Sequence, residues 1–316
     1  MDDTKVNHCN EFYSDADKLD FEGFRDCVIG ILSDICGPEF RVEERQVIKN
    51  NAVKLYGVSI SENNSAVAPT IYLEVFYEEY LKGVRGVQEI ANEVLRVYSN
   101  NRTPGNFELE KFLDYEKVRM NLGVRLINRE KNREFLGCVP HRDFLNLAVI
   151  YTVRVGDKNG FASITVRNEH LEKWGISEDE LRKDAENNME SIMEPRIRYL
   201  YEFMESLGCS IGEETGMSEK VLPMYVLTNR SGNFGAAAVI MTGLLREFAE
   251  NKESDLYILP SSVHELILLP ISGDVNVSEL RSMVKSVNES VLDKEDFLSD
   301  DVYYYSREDD EITIAG

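Results

Sequence analysis

Segments with the pattern of a β-strand occur in pairs along this sequence, and a segment with the pattern of a helix follows each pair. Four such strand–strand–helix units start near Arg41, Leu145, Met224 and Leu256, and they share no residue-level repeat. Hairpins that are followed by helices form antiparallel sheets with the helices packed on one face. The order of these segments therefore predicts an α+β fold built from antiparallel sheets.

The third unit contains a stretch with two glycines, "NRSGNFGAAAVIM", at Asn229–Met241. Gly232 and Asn233 have the composition of a hairpin turn, so we predict strands at Met224–Thr228 and Ala236–Met241 on either side of it. The stretch has neither the G-x-x-x-x-G-K-[ST] spacing of a phosphate-binding loop nor a lysine. These residues favour a turn over a nucleotide site.

Local signals also mark the later helices and the last hairpin. Ser177 with Glu180, and Asn276 with Glu279, have the spacing of a capping box at the start of a helix. The runs "VYYYS" and "EITIA" flank "REDD", which predicts a closing hairpin. Because side chains alternate along a strand, we expect the tyrosine run to pack on the sheet and to show its alternate ring to solvent.

Three regions are distinguished by their composition. Residues 1–15 are polar and acidic, and we expect them to form a flexible tail. Residues 16–106 contain a predicted helix at Phe21–Ile35, a hairpin and further helices, and residues 107–316 form a C-terminal α+β region. The breaker-rich run "NNRTPGN" places the boundary near Asn106. The two regions can also form one continuous domain.

The chain is strongly acidic, with 57 acidic against 35 basic residues and a net charge of −22. Such a charge repels phosphate backbones, so we expect no direct binding to nucleic acid. The densest basic stretch, Arg125–Arg133, is interrupted by Glu130 and is interpreted as a solvated face. An acidic mimic of nucleic acid remains an alternative, and it requires carboxylates that gather on one face.

Membrane and metal-binding signals are missing from the sequence. No apolar run approaches the roughly 20 residues that a bilayer-spanning helix needs, and the N-terminus lacks the basic and apolar regions of a signal peptide. The five cysteines are scattered and include no CxxC pair, which is typical of free thiols in a reducing cytoplasm. We therefore predict a cytoplasmic protein without membrane contact, cofactor or metal.

The segment "SSVHE" holds the strongest catalytic candidates, namely Ser261, Ser262, His264 and Glu265. If the segment is extended, His264 and Glu265 point to opposite faces of the sheet, which separates a base from its orienting acid. The sequence has no G-x-S-x-G motif, and Leu268 breaks the H-E-x-x-H pattern. We favour a serine-rich turn in which His264 begins the strand and binds the turn backbone.

A second cluster, His141, Arg142 and Asp143, precedes a strongly strand-like run at Phe144–Val155. Ionisable side chains at a strand end can bind an anionic ligand. The structural alternative, which we favour, is a surface ion pair between Arg142 and Asp143. A metal site of His141, His264 and Glu265 would need the two segments to meet.

Four segments in order suggest a family: "APTIYLEVFYEEYLKG", "NREFLGCVPHRDFLNLAVIYTV", "LPSSVHELILLP" and "FLSDDVYYYSRE". They resemble an uncharacterised family, a domain of unknown function, of anaerobic Gram-positive gut bacteria. The resemblance covers most of the chain, from about Arg41 to Arg307. It implies an intracellular bacterial protein with no established activity, cofactor or catalytic residues.

Our leading hypothesis is a bacterial cytoplasmic protein that binds a macromolecule, with another protein as the first candidate, and has no catalytic activity. The acidic surface and the tyrosine-rich segments are compatible with protein contacts. The alternative is a hydrolase or another small-molecule enzyme. Its site would be assembled from Ser261, Ser262, His264 and Glu265, with His141 and Arg142 as further candidates.

Overall fold

The computed structural model describes residues 18–62, 70–100, 112–157, 160–208, 223–260, 262–273 and 275–316, without the side chains of 156, 157, 160–162 and 242. The predicted tail, the predicted boundary near Asn106, and Ser261 lie outside the described residues. The chain divides into two compact units. The N-terminal body comprises Met1–Lys49 and Val53–Leu109, and the C-terminal body comprises Asn50–Ala52 and Glu110–Gly316.

The N-terminal body packs helices against a three-stranded antiparallel sheet in the order β1-β2-β3. Its described helices are α1 (Phe21–Cys36), α2 (Glu74–Leu81) and α3 (Val87–Asn100). Its strands are β1 (Phe40–Ile48), β2 (Lys54–Glu62) and β3 (Thr70–Tyr72). The core lies between the helices and the sheet, with buried residues from α1, α3 and β2 in one cluster.

Helix α1 shows how the sequence forms this body. The Asp20 side chain accepts a hydrogen bond from the backbone N–H of Gly23 and caps the helix. Phe24, Val28 and Leu32 lie at helical spacing within the predicted helix, and all three are fully buried. Ile35, at the end of the predicted helix, is exposed because it lies in the last turn of α1.

The C-terminal body contains two antiparallel sheets. In the smaller sheet, β6 pairs with β4 along one edge, and with β5 and then β7 along the other. These strands are β4 (Leu122–Asn128), β5 (His141–Phe144), β6 (Leu147–Asp157) and β7 (Gly160–Thr165). The larger sheet has the order β13-β12-β10-β11-β9-β8. Its strands are β8 (Pro195–Tyr199), β9 (Tyr225–Asn229), β10 (Leu256–Leu259), β11 (Leu266–Pro270), β12 (Tyr303–Ser306) and β13 (Glu311–Ile314).

The helices of this body connect and cover the sheets. They are α4 (Tyr115–Val118), α5 (Arg133–Leu136), α6 (Asn168–Trp174), α7 (Glu178–Met193), α8 (Leu200–Ser206), α9 (Thr242–Lys252) and α10 (Val277–Val291). The predicted caps are confirmed at two of them. Ser177 accepts a hydrogen bond from Glu180 N–H at the start of α7, and Asn276 accepts bonds from two N–H groups at the start of α10.

The predicted α+β class with antiparallel sheets is confirmed. The predicted strand at Phe144–Val155 is divided, because Leu145 has a positive φ of 54° and turns the chain between β5 and β6. A second difference concerns Ala236–Met241, for which the prediction of a strand is wrong. Gly235–Ile240 forms a 3-10 helix, and β9 pairs with β8 and β11 instead of with the residues that follow it.

The closing hairpin of β12 and β13 is confirmed, and so is the alternation of its tyrosines. Tyr303 and Tyr305 are buried, whereas Tyr304 is partly exposed. Each hydroxyl donates a hydrogen bond: Tyr303 to Asn146 Oδ1 at 2.7 Å, Tyr304 to Asp255 Oδ2 at 2.7 Å, and Tyr305 to Asp310 Oδ1 at 2.6 Å. The strand therefore buries aromatic rings without leaving their polar atoms unpaired.

Candidate functional site

Ser262 closes the turn between β10 and β11. Its N–H donates to the carbonyl of Glu265 at 3.1 Å, and its hydroxyl donates to Glu265 Oε1 at 2.7 Å. The same hydroxyl oxygen accepts from the backbone N–H groups of His264 and Glu265 at 2.9 and 3.3 Å. With 2% of its surface exposed, Ser262 is committed to this turn.

The ring of His264 lies between two other segments. Its Nδ1 accepts a hydrogen bond from the backbone N–H of Phe234 at 3.1 Å. In the neutral ring, Nε2 then carries the proton, and it lies 3.1 Å from Asp296 Oδ1. The backbone of His264 is held as well, since Thr228 Oγ1 donates to its carbonyl at 2.9 Å. His264 thus joins the loop after β9, the β10–β11 turn and the loop after α10. We call His264 and its partners Thr228, Phe234 and Asp296 the His264 network.

A serine–histidine pair would need a ring nitrogen of His264 facing a serine hydroxyl. Within the described residues, the Ser262 hydroxyl faces Glu265, and the two ring nitrogens of His264 face Phe234 and Asp296. Asp296 is placed like the carboxylate that orients the histidine of a catalytic triad. The other ring nitrogen of His264, which would have to face a serine hydroxyl, accepts the backbone N–H of Phe234 instead. The strand begins only at Leu266, so His264 belongs to the turn.

The other sequence candidates lie on β5. The exposed ring of His141 places Nδ1 3.0 Å from the carbonyl oxygen of Val139. Arg142 pairs with Glu186 of α7 at 3.5 Å, and Asp143 accepts a hydrogen bond from Arg129 at 2.8 Å. The expected Arg142–Asp143 pair is therefore replaced by two separate pairs, because neighbouring side chains on a strand point to opposite faces.

Neither metal chemistry nor a membrane helix is indicated in the ranges given above. No group of three or more histidine, cysteine, aspartate or glutamate side chains is placed there to hold a metal ion. No helix among the same residues has the length and apolar character to cross a bilayer.

An arginine–phenylalanine stack was not predicted. The Arg125 guanidinium lies over the Phe234 ring, with its central carbon 3.5 Å from the ring centroid, and it donates to Ser163 Oγ. The His264 ring centroid is 5.2 Å from that of Phe234. Burial lowers the pKa of Arg125 to about 10. Arg125 is half-buried on β4, so the interpretation of Arg125–Arg133 as one solvated face fails at its first residue.

A row of apolar side chains on α10 was also missed. Met283, Val287 and Val291 follow one another at four-residue spacing, and they are 43%, 49% and 80% exposed. The neighbouring face of the helix packs against the larger sheet, where Val284 joins a cluster with Leu259. We call Met283, Val287 and Val291 the α10 row. The apolar sector of α10 is thus wider than the sheet surface that covers it.

Fold and site together define an α+β protein in which histidine and carboxylate side chains join distant loops. The chain belongs to a family of unknown function, DUF5688, whose model matches residues 21–307. That range includes every residue of the His264 network, the Arg125 stack and the α10 row. The comparison with curated proteins found no match, and the comparison with solved structures found none either.

Proposed function

We propose that this family member is a bacterial cytoplasmic accessory protein that binds another protein and has no catalytic activity. The α10 row is the single observation that carries the proposal. Three apolar side chains at positions i, i+4 and i+8 form the pattern by which a helix meets a hydrophobic groove. Their exposure on a chain with a net charge of −22 favours a partner whose apolar groove has a basic rim.

The contact can supply useful binding energy. Fully burying a side chain such as valine or methionine is worth about 1.5–3 kcal/mol, and each 1.4 kcal/mol changes an affinity about tenfold. Val291 is mostly exposed, and Met283 and Val287 are about half exposed, so a partner can bury much of their surface. The acidic surface then affects the orientation of the partner and the association rate more than it affects the affinity.

The test compares the wild-type protein with a triple variant, Met283→Gln, Val287→Gln and Val291→Gln. Glutamine keeps the helix propensity of the replaced positions while removing their apolar surface. A partner captured from lysate of the encoding organism is purified and titrated against both proteins. We expect the triple variant to bind at least about tenfold more weakly. Equal affinity for the two proteins would refute the proposal.

Two controls make the comparison specific. A variant with Met120→Gln and Leu207→Gln removes exposed apolar side chains of the same body outside the α10 row, and it should bind like the wild type. A folded variant with His264→Ala and Glu265→Ala should also keep its affinity. Loss of binding with this second control would instead place the "SSVHE" turn in the interface.

A further inference from the structure

We propose that Arg125 and Ser163 form a binding site for the oxyanion of a small ligand, either a carboxylate or a phosphate group. The proposal is independent of the α10 row. It starts from the charge of Arg125, which finds no counter-ion among the described residues. No carboxylate in this part of the chain lies within ion-pairing distance of its guanidinium.

This lack of a counter-ion is unexpected in so acidic a chain. Arg129, in the turn after β4, and Arg142, on β5, each pair with a carboxylate. Arg125 instead meets the Phe234 ring and a neutral hydroxyl. A half-buried cation without a counter-ion loses part of its hydration and gains no attraction to a negative charge in return. This loss of hydration is what lowers the pKa of Arg125. A bound anion would restore that interaction.

The geometry provides hydrogen-bond donors that can bind an oxyanion, namely the N–H groups of Arg125 and the hydroxyl of Ser163. A guanidinium carries five N–H donors that lie in its plane. The Phe234 ring covers the face of the Arg125 guanidinium, and this stacking blocks none of the N–H donors at its edges. One edge donor points to Ser163 Oγ. Because that oxygen accepts from Arg125, its own proton can be donated to a ligand. Arg125 and the exposed Ser163 can therefore contact the same oxyanion, with the paired N–H bonds that arginine forms to carboxylate and phosphate.

The His264 network fixes the position of Phe234, whose ring lies beneath the Arg125 guanidinium. Phe234 has a positive φ of 55°, which is uncommon for a residue with a side chain. Its N–H is bound to His264 Nδ1, and the next residue, Gly235, packs directly on the carbonyl of His264. A fixed ring limits the motion of the stacked guanidinium before a ligand arrives. His264 is thus a positioning residue for this site.

The experiment is calorimetric titration of the full-length protein with inorganic phosphate, acetate and succinate. Ionic strength is held constant with sodium chloride, so that screening does not imitate binding. We expect saturable binding of at least one of these probes. The phosphate arm and the two carboxylate arms distinguish the source of the oxyanion. If none of the three probes shows saturable binding to the wild-type protein, the proposal is overturned without reference to any variant.

Variants assign the binding to Arg125. Arg125→Met keeps much of the side-chain length without the charge, and we expect an affinity loss of about ten- to a hundredfold. Arg125→Lys should bind between the two, since an ammonium cannot form the paired contacts. The matched control is Arg129→Met, an exposed arginine in the turn after β4, which should bind like the wild type. If Arg125→Met does not fold, Ser163→Ala replaces it, and unchanged affinity in the variant used would overturn the proposal.

Discussion

Gly235 shows how closely the loop after β9 packs on its neighbours. A Cβ atom at this position would lie 2.5 Å from the backbone nitrogen of Asn229 and 2.7 Å from the carbonyl oxygen of His264. Neither backbone atom can move without disturbing the His264 network. The residue is therefore glycine because of its surroundings, and its own φ is not positive.

We expect Gly235→Ala to lower the free energy of unfolding by about 1–3 kcal/mol, the usual effect of overpacking. Gly243→Ala is the matched control, because a Cβ there meets nothing within 4 Å and lies in the first turn of α9. Alanine at that position should stabilise the protein by up to about 1 kcal/mol. Denaturant unfolding of the three proteins measures both effects. Equal stability of Gly235→Ala and wild type would contradict the packing described here.

Arg125 and Asp296 are the residues whose roles the sequence did not reveal. Arg125 lies in a stretch whose basic residues are interrupted by neutral residues and by Glu130, which is the composition of a solvated face. Asp296 lies in an acidic run, and nothing local connects it with His264, 32 positions earlier along the chain. The one local signal is the sequence around Phe234, where flanking asparagine and glycine allow an unusual backbone conformation.

At the scale of elements, the tyrosines of strand β12 make the stability of the protein depend on pH in the alkaline range. The hydrogen bond to Asp255 raises the pKa of Tyr304 to about 12, and burial together with Asp310 raises that of Tyr305 to about 12. An unfolded tyrosine has a pKa of about 10. The folded protein therefore holds these protons more tightly than the unfolded chain. Their contribution to stability is complete below about pH 10 and is lost as the pH rises towards about 12.

We expect Tyr304→Phe to reduce this loss of stability between about pH 9 and 12, since one of the shifted groups is removed. Urea unfolding at a series of pH values gives the slope for each protein. Tyr257→Phe is the control, because Tyr257 faces Tyr304 on β10 and its hydroxyl has no hydrogen-bond partner among the described residues. The same slope for Tyr304→Phe and wild type would disprove the role of the Tyr304–Asp255 bond.

At the scale of the whole molecule, the net charge of −22 is the dominant electrostatic property. Repulsion among like charges opposes the compact state, and salt screens it. The ion pairs of the described residues act in the opposite direction, but many are exposed, such as Lys82 with Glu78 and Arg133 with Glu130. Exposed pairs contribute about 0–1 kcal/mol each.

The midpoint of thermal unfolding should therefore rise when sodium chloride is increased from about 0.02 to 0.5 M at neutral pH. Potassium chloride should give the same rise, since screening does not depend on the cation. A different response to the two salts would indicate a bound ion. A midpoint that falls with salt would show that the ion pairs outweigh the net repulsion.

The sequence by itself determined the features that depend on neighbouring residues. Periodicity identified α1, and cap chemistry identified the starts of α7 and α10. Turn residues and alternation identified the hairpins of β1 with β2 and of β12 with β13, and with them the α+β class. Each of these signals acts over a few residues, so the pattern and the structure agree.

Only the tertiary structure decided which segments that are distant along the chain lie next to each other. A short buried run such as Gly235–Ile240 suits a strand or a helix equally well, and it became a 3-10 helix because β8 and β11 occupy both edges of β9. The contacts of His264 with Asp296, and of Arg125 with Phe234, join segments that are distant along the chain. Pairing over such distances depends on how sheets and loops pack, and no local spacing encodes it.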